Sequence, residues 1–289
     1  MDLSKTQSID ILKSCESFIK RTKSGKIKVK AQSSNGTVVN IVLLVLAALT
    51  VYGFLTFDYK DINISHAIKE TIYNIKTIFL EPRASHFPIT EALYQVVITM
   101  ALAFLTTIIG AIIALVLGLF AAKNLSNERV SNVIKGFVAF IRAVPTVLWV
   151  LIFAVSAGLG SVAAVIGLTF HSVGYLIKAY SESFEEIDYG VIEALKASGA
   201  NWWQIVFQAV LPSCATYLLA WTFMRFEINF TNAVAMGAAA GAGGIGFELF
   251  MAGNFYFDLR EVGMITYLIL AFALILENIS TRIKIKYLR

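Results

Sequence analysis

Long apolar runs, separated by shorter polar stretches, limit what this chain can fold into. Several of these runs reach the roughly 20 residues that an α-helix needs to cross a bilayer. Hydrophobic residues make up 57% of the 289 residues and charged residues only 15%, whereas a soluble domain carries about 25% charged residues. The alternating pattern of a membrane β-barrel is absent. The sequence therefore predicts an all-α, polytopic membrane protein.

About six transmembrane helices are predicted from these runs, at 38–57, 92–121, 133–157, 163–180, 213–236 and 262–276. An even number of spans places both termini on the same side of the membrane. Basic residues in both terminal tails, and at Lys123, Arg129 and Lys135 in one loop, assign that side to the cytoplasm by the positive-inside rule. We therefore expect a multi-pass protein of the plasma membrane with both termini in the cytoplasm.

The segments before the core differ sharply in polarity. Residues 1–37 form a basic tail, and no cleavable signal peptide is expected because the first apolar run begins too late. This tail either contacts anionic lipid headgroups or is simply solvated. Residues 58–89 are expected outside the membrane, with an amphipathic helix whose apolar positions recur at spacings of three and four. These positions are Ile64, Ile68, Ile72, Ile75 and Phe79.

The core is predicted at 90–282, followed by a short basic cytoplasmic tail at 283–289. Within the core, residues 185–212 form a polar stretch that is too polar to cross a bilayer and too rich in helix formers to be a slack linker. One short helix is predicted at 185–198. Gly199 is predicted to end it in a left-handed conformation, and Asn201 to cap a second helix. The polar stretch is thus either a docking element or an ordinary surface loop.

Four ionisable residues, Arg142, His171, Arg225 and Glu227, lie inside predicted spans, where charge is costly and faces a bundle interior or a wet cavity. One interpretation is a polar lining of a translocation path, in which arginine suits an oxyanion. The other is an internal ion pair, of Arg142 or His171 with Glu227, that only locks helices together. The sequence leaves both open.

The polar stretch resembles the conserved cytoplasmic loop of permeases from binding-protein-dependent ABC importers. The resemblance rests on an acidic residue with small and apolar neighbours, a glycine and a later leucine–proline pair: Glu193, Ala194, Leu195, Gly199, Ala200, Leu211 and Pro212. Leu195 and Ala209 depart mildly from the usual pattern. In that family the loop is the coupling helix, which rests in a groove of the cytoplasmic ATPase.

Further motifs resemble the phosphonate permease subfamily. They are 141–145 followed by Leu148 and Trp149, then 171–174, 225–229 and 241–249. The resemblance implies an ABC importer type I permease fold. It also implies a homodimer, two ATPase subunits that hold ATP and Mg²⁺, and an extracytoplasmic binding protein that delivers phosphonate or a related phosphorus oxyanion. Thr231 and Asn232 depart from the subfamily pattern, which weakens the substrate assignment more than the fold.

Two further sets of residues carry expected roles. The first, called here the intramembrane set, is expected to line the path or to hold buried charge: Arg142, Pro145, His171, Ser172, Arg225, Glu227 and Asn229. The second is expected to form a glycine gate or packing segment: Gly241, Gly243, Gly244 and Gly246.

Several other functions are disfavoured. The glycine pattern at 241–246 follows an apolar membrane segment instead of a strand, so it does not predict a dinucleotide site, and no phosphate-binding loop of the G-x-x-x-x-G-K-[ST] type occurs. Any ATPase must therefore be another chain, and no cofactor, metal or nucleic acid is expected on this one.

An intramembrane enzyme is disfavoured because His66, His86 and His171 are scattered. A permease for a different small solute and an ion-coupled secondary transporter remain as alternatives.

Overall fold

A computed structural model describes residues 35–56 and 63–287, and every regular element in these ranges is helical. The predicted basic tail at 1–37 lies outside the described residues, except for its last three. The chain divides into two compact units, with the boundary between Ile64 and Ser65. The described part of the first unit contains α1 (Asn35–Thr56), an apolar helix long enough to cross a membrane, with none of its described side chains buried.

The second unit contains ten α-helices in its described part, with one π-helical turn between the eighth and ninth helices of the chain. They are α2 (Ile64–Leu80), α3 (Ile89–Ala121), α4 (Glu128–Ala143), α5 (Thr146–Ala157), α6 (Ser161–Glu185), α7 (Tyr189–Ala197), α8 (Trp202–Ile205), the π turn (Val206–Val210), α9 (Leu211–Ala240), α10 (Gly244–Asn254) and α11 (Leu259–Tyr287). The predicted helix in the 58–89 segment is present as α2, and its isoleucine positions are exposed.

Five described helices are long and apolar enough to cross a membrane, and a sixth span exists only if α4 and α5 count as one. The prediction of a single helix at 133–157 is wrong, because α4 and α5 meet at an angle of 91°. Pro145 lacks an amide hydrogen and pushes Val144 out of the helical region, to φ −93° and ψ 126°. The Trp149 indole donates to the Ile141 carbonyl oxygen at 2.9 Å and so satisfies one of the acceptors left at the bend.

Two glycines of α6, seven residues apart, hold the two arms of this bend close. A Cβ at Gly174 would lie 2.7 Å from Ile141 Cγ2, and a Cβ at Gly167 would lie 2.6 Å from the Val150 Cα. Residues at this spacing lie on one face of a helix. The face of α6 that carries Gly167 and Gly174 therefore receives the end of α4 and the start of α5.

The polar stretch and the fifth span also differ from their predicted bounds. The single helix expected at 185–198 is wrong, because α6 continues to Glu185 and α7 begins only at Tyr189. Asp188 causes the restart, since its side chain accepts from the Gly190 amide and caps α7. The span expected at 213–236 is part of one helix from Trp202 to Ala240. The π turn just before Pro212 accommodates the missing amide hydrogen of that proline.

Candidate functional site

A cluster of buried polar side chains lies between α3, α6 and α9. Arg225 and Asn229 are one helical turn apart on α9 and are 2% and 0% exposed. Ser172 Oγ, from α6, accepts hydrogen bonds from Arg225 Nε at 3.0 Å and from Asn229 Nδ2 at 2.9 Å. Asn229 Nδ2 also donates to Thr107 Oγ1 of α3 at 2.8 Å. The cluster therefore links three membrane-spanning helices through hydrogen bonds away from solvent.

The Arg225 guanidinium keeps unused donor capacity within this cluster. Its Cζ lies 5.2 Å from the centroid of the Tyr175 ring, a cation–π contact. Its Nη2 is buried and has no hydrogen-bond partner among the described residues. Arg225 also forms no ion pair with a described residue. A buried cation of this kind is suited to bind an anion.

His171 and Arg142 lie next to this cluster. The Arg142 and Arg225 guanidinium groups both interact electrostatically with the His171 ring, and His171 Nδ1 is buried without a hydrogen-bond partner among the described residues. Arg142 is exposed at the C-terminal end of α4, one residue from the bend, so it is not the deeply buried charge that the sequence predicted. Pro145 is exposed as well and precedes the first residue of α5.

The predicted ion pair of Glu227 with Arg142 or His171 is not formed. Glu227 is half-buried on α9, and no described cation lies within ion-pair distance of it. The reason is geometric. Residues two apart on a helix point in different directions, so Glu227 cannot face the surface that Arg225 presents to α6.

Two members of the cluster were not singled out from the sequence. Thr107 lies in the most apolar part of α3, and Tyr175 follows the recognised 171–174 motif by one residue. Tyr175 is one turn beyond His171 on α6, so helical spacing applied to that motif would have found it. Thr107 has no such local signal, since its partner Asn229 is 122 residues away.

The polar stretch forms two short helical segments joined by a tight turn. Gly199 has φ +83°, the Ala200 amide donates to the Leu195 carbonyl oxygen, and the Gly199 amide donates to that of Lys196. This is the Schellman arrangement, which confirms the predicted left-handed end at Gly199. Asn201 forms a complete capping box with Gln204, which confirms the predicted cap.

The stretch is anchored by apolar side chains and presents polar ones. Ile192 and Ile205 are buried in a core beneath it, and the Trp202 indole donates to the Leu125 carbonyl oxygen at 2.8 Å. Glu193 and Ala194 are exposed, whereas Leu195, Ala200 and Leu211 are half-buried and Pro212 is exposed on α9. The result is a surface of two short helices, packed on the core, with an exposed carboxylate.

The acidic residues in and around the polar stretch differ in their partners. Glu185 accepts from Lys135 Nζ at 2.7 Å and from the Lys123 amide at 2.7 Å, and Glu182 pairs with Lys178 at 3.0 Å. Glu193 forms no ion pair with a described residue. It is therefore available to another chain, as is the exposed Glu186, which also forms no ion pair with a described residue.

The glycine segment combines a turn with close helix packing. Gly241 ends α9 at φ +63°, and positive φ recurs at Gly243 and at Gly244, the first residue of α10. A Cβ at Gly246 would overlap the Val234 carbonyl oxygen, so α10 packs directly on α9. The Ile245 amide donates to Thr99 Oγ1 at 3.0 Å, which ties the start of α10 to α3. The packing interpretation of this segment therefore has direct geometric support.

Comparisons with known proteins agree with this architecture. Residues 114–289, more than half of the chain, match the family described as the binding-protein-dependent transport system inner membrane component. In fold, the chain is similar to the structure of the MetNI methionine ABC transporter in an inward-facing conformation, with a TM-score of 0.63, 22% identity, and coverage of 71% of this chain and 100% of that one.

Two relatives by sequence are also permeases. The chain is 31% identical over 178 residues to the phosphate-import permease protein of Mycolicibacterium smegmatis, covering 61% of this chain and 33% of that protein. It is 33% identical over 183 residues to a phosphite transport system permease protein of Stutzerimonas stutzeri, covering 63% of this chain and 66% of that protein. The match thus spans between one third and two thirds of these relatives. With the family match over most of its membrane core, this all-helical chain belongs to the binding-protein-dependent transport system inner membrane components.

Proposed function

We propose that this chain is the membrane-spanning permease subunit of an ATP-driven importer, and that it conducts a phosphorus oxyanion such as a phosphonate, phosphite or phosphate. The observation that carries the proposal is the buried Arg225 guanidinium, with the His171 ring and the exposed Arg142 guanidinium next to it. No described carboxylate neutralises either arginine by an ion pair. An unpaired buried cation is costly unless an anion visits it. The phosphate and phosphite permeases among the relatives support the same substrate class.

Each of these three side chains has a distinct part in this proposal. Arg225 offers the tetrahedral oxyanion a free Nη2 donor in a rigid planar fork. Ser172, Asn229 and Thr107 hold that fork in place. Arg142 adds a second cation near the bend between α4 and α5, and His171 offers the solute a polar ring beside both arginines. Pro145 produces the bend, and Glu227 faces another direction, so we assign Glu227 to a second copy of the chain or to the wall of the path.

The partners follow from the same proposal. A second copy of this chain completes the path, and two copies of an ATPase on separate chains hold ATP and Mg²⁺ and drive transport. Glu193 and its neighbours in the polar stretch contact that ATPase. An extracytoplasmic binding protein delivers the solute from the side opposite the polar stretch. Both termini then lie in the cytoplasm of a bacterial cell, and residues 58–89 lie outside.

Reconstitution in liposomes tests the proposal. The permease is assembled with its ATPase and binding protein, and ATP-dependent uptake of methylphosphonate, phosphite and phosphate is compared with uptake of D-methionine, the solute named for more distant relatives. We expect uptake of at least one phosphorus oxyanion and none of methionine. Arg225→Met should abolish uptake, whereas Arg129→Met, at an exposed position on α4, should leave it unchanged.

Three outcomes would contradict the proposal. Uptake of methionine alone would assign the permease to a different solute class. Uptake that needs an ion gradient and no ATP would make the chain a secondary transporter. Normal uptake by the Arg225→Met variant would show that Arg225 has no part in the translocation path.

A further inference from the structure

Away from the polar cluster, the end of α2 and the segment that leads to α3 are hydrogen-bonded to the first turns of α11. Arg260 Nη2 donates to Glu81 Oε2 at 2.8 Å, and the Arg83 amide donates to the Arg260 carbonyl oxygen at 3.1 Å. Tyr267 donates to the carbonyl oxygen of Phe79 at 2.6 Å. These contacts hold residues 81–88 and 255–261 side by side.

Glu261 lies at the centre of this junction and is fully buried. Its Oε1 accepts from the amides of Ser85 and His86, at 3.1 Å and 2.8 Å. Its Oε2 lies 2.6 Å from His86 Nδ1. One oxygen of the carboxylate is thus held by the backbone, while the other faces the imidazole.

His86 and Asp258 are held in a similar way. The His86 ring is stacked on Tyr256, with ring centroids 4.0 Å apart, which fixes the direction of its Nδ1. Asp258 Oδ1 accepts from the amides of Arg260 and Glu261. The Ser85 side chain also hydrogen-bonds to Asp258.

We propose that His86, Asp258 and Glu261 form a binding site for a divalent transition metal, with Zn²⁺ as the best match. One ligand atom from each of the three residues lies within 4.8 Å of the other two. One imidazole nitrogen and two carboxylate oxygens suit Zn²⁺, whereas Mg²⁺ and Ca²⁺ prefer more ligands and oxygen alone. The sequence alone predicts no metal site, because His86 and Glu261 are 175 residues apart.

The geometry needs shifts of about 1–1.5 Å to accept the ion. Zn²⁺ binds nitrogen and oxygen at about 2.0–2.2 Å, so two ligands of a tetrahedral ion lie roughly 3.3 Å apart. The His86 Nδ1 to Glu261 Oε2 separation of 2.6 Å must widen by less than about 1 Å, and ligand atoms that lie up to 4.8 Å apart must approach by up to about 1.5 Å. The His86 side chain is 40% exposed, which leaves room for a small shift of the ring. The backbone amides on Glu261 Oε1 and Asp258 Oδ1 act as the outer support that orients metal ligands. A bound ion would clip residues 85–86 to the start of α11, and this role is independent of the transported solute.

Metal titration of the purified full-length chain tests this site. After treatment with a chelator, Zn²⁺ binding is measured by calorimetry, and the Tm is measured with Zn²⁺ and with Mg²⁺. We expect about one Zn²⁺ per chain and a Tm raised by several degrees with Zn²⁺ but not with Mg²⁺. Asp258→Asn should lose the ion, because it removes the ligand charge while Oδ1 can still accept from the backbone. His66→Ala, which removes a histidine with one carboxylate at 3.7 Å, should keep it.

The alternative is that the cluster is a hydrogen-bonded ion pair and nothing more. A wild-type Tm that Zn²⁺ does not change would establish this alternative, whatever the variants do. Equal Zn²⁺ binding by the wild type and by Asp258→Asn would also overturn the proposal, as would a loss on His66→Ala as large as that on Asp258→Asn.

Discussion

Gly174 of α6 lies directly against Ile141 at the end of α4, so close that a Cβ at position 174 would be 2.7 Å from Ile141 Cγ2. Seven residues earlier, a Cβ at Gly167 would meet the Cα and amide nitrogen of Val150. A side-chain atom can rotate away, but backbone atoms of a packed helix cannot. The two glycines therefore differ in how strictly they exclude a side chain.

This difference predicts a graded series of stabilities. Gly174→Ala should destabilise the fold by about 1 kcal/mol, and Gly167→Ala by about 2–3 kcal/mol, because overpacking against backbone is harder to relieve. Gly136→Ala, on an exposed face of α4 with nothing within 4 Å of the added Cβ, should be neutral or stabilising. Thermal unfolding of the purified variants measures the order. Equal stability of the three variants would show that the bend does not depend on this packing.

Asn229 should be the most costly polar residue to truncate in the cluster. Asn229→Ala removes the Nδ2 group that donates hydrogen bonds to Thr107 Oγ1 and to Ser172 Oγ, in a region buried from solvent. We expect a loss of about 1–3 kcal/mol in unfolding free energy, measured by denaturation in detergent. Asn254→Ala, at an exposed position on α10, should change stability by less than about 0.5 kcal/mol. A similar small effect of Asn229→Ala would mean that water replaces its hydrogen bonds.

Glu248 on α10 predicts a pH-dependent stability. Burial, together with the charges of Glu91 and Glu261, raises the pKa of its carboxyl above the usual value. A raised folded-state pKa favours the protonated form, so its stabilising contribution is present at acid pH and is lost as pH rises through that pKa. Glu248→Gln should therefore be more stable than wild type at neutral pH, by less than about 1 kcal/mol because solvent screens this half-buried group.

The comparison is made by measuring Tm against pH for both chains. The advantage of Glu248→Gln should shrink as pH falls, while Glu277→Gln, exposed on α11, should show no such trend. A constant difference at all pH values would contradict the assigned cause.

Local signals in the sequence predicted local structure well. The left-handed turn at Gly199 and the cap at Asn201 depend on neighbours within five residues, and both are present. The breaks at Pro145 and Asp188 were missed because apolar or helix-forming residues continue on both sides and conceal them. A long helical pattern does not reveal a bend of 91° when its cause is one proline.

Contacts between distant parts of the chain were beyond prediction. Composition identified Arg225 and Glu227 as unusual, but the choice of partner depends on which helix packs against which face. Thus Arg225 contacts Ser172 and Tyr175, while Glu227 forms no ion pair with a described residue. The cluster of His86 with Glu261 has the same origin, since only the packing of α11 brings these residues together.

Glu227 offers a test of the two interpretations of intramembrane charge. Because it forms no ion pair with a described residue, Glu227→Gln should leave the folding of the chain unchanged, with a Tm within about 1–2 °C of wild type. Uptake should change if Glu227 contacts the solute path or the second copy. Size-exclusion chromatography and liposome uptake separate these effects. A large fall in Tm for the single chain would indicate an internal partner after all.

Gly199 and Glu193 test whether the polar stretch couples this chain to its ATPase. Gly199 has φ +83° and open space around its Cβ position, so the cost of a side chain there is one of backbone conformation and not of collision. Gly199→Val should strain the turn by about 1–2 kcal/mol, because a β-branched residue rarely adopts this φ. Gly199→Asn is the matched control, since asparagine tolerates the left-handed region.

The second variant, Glu193→Arg, reverses the charge of the exposed carboxylate. We expect Gly199→Val and Glu193→Arg to leave the chain inserted and dimeric. Both variants should co-purify with less ATPase and lower the hydrolysis stimulated by the binding protein in parallel with uptake. Gly199→Asn should retain most of the ATPase association, the stimulated hydrolysis and the uptake. Normal ATPase association in both Gly199→Val and Glu193→Arg would exclude the polar stretch as the coupling element.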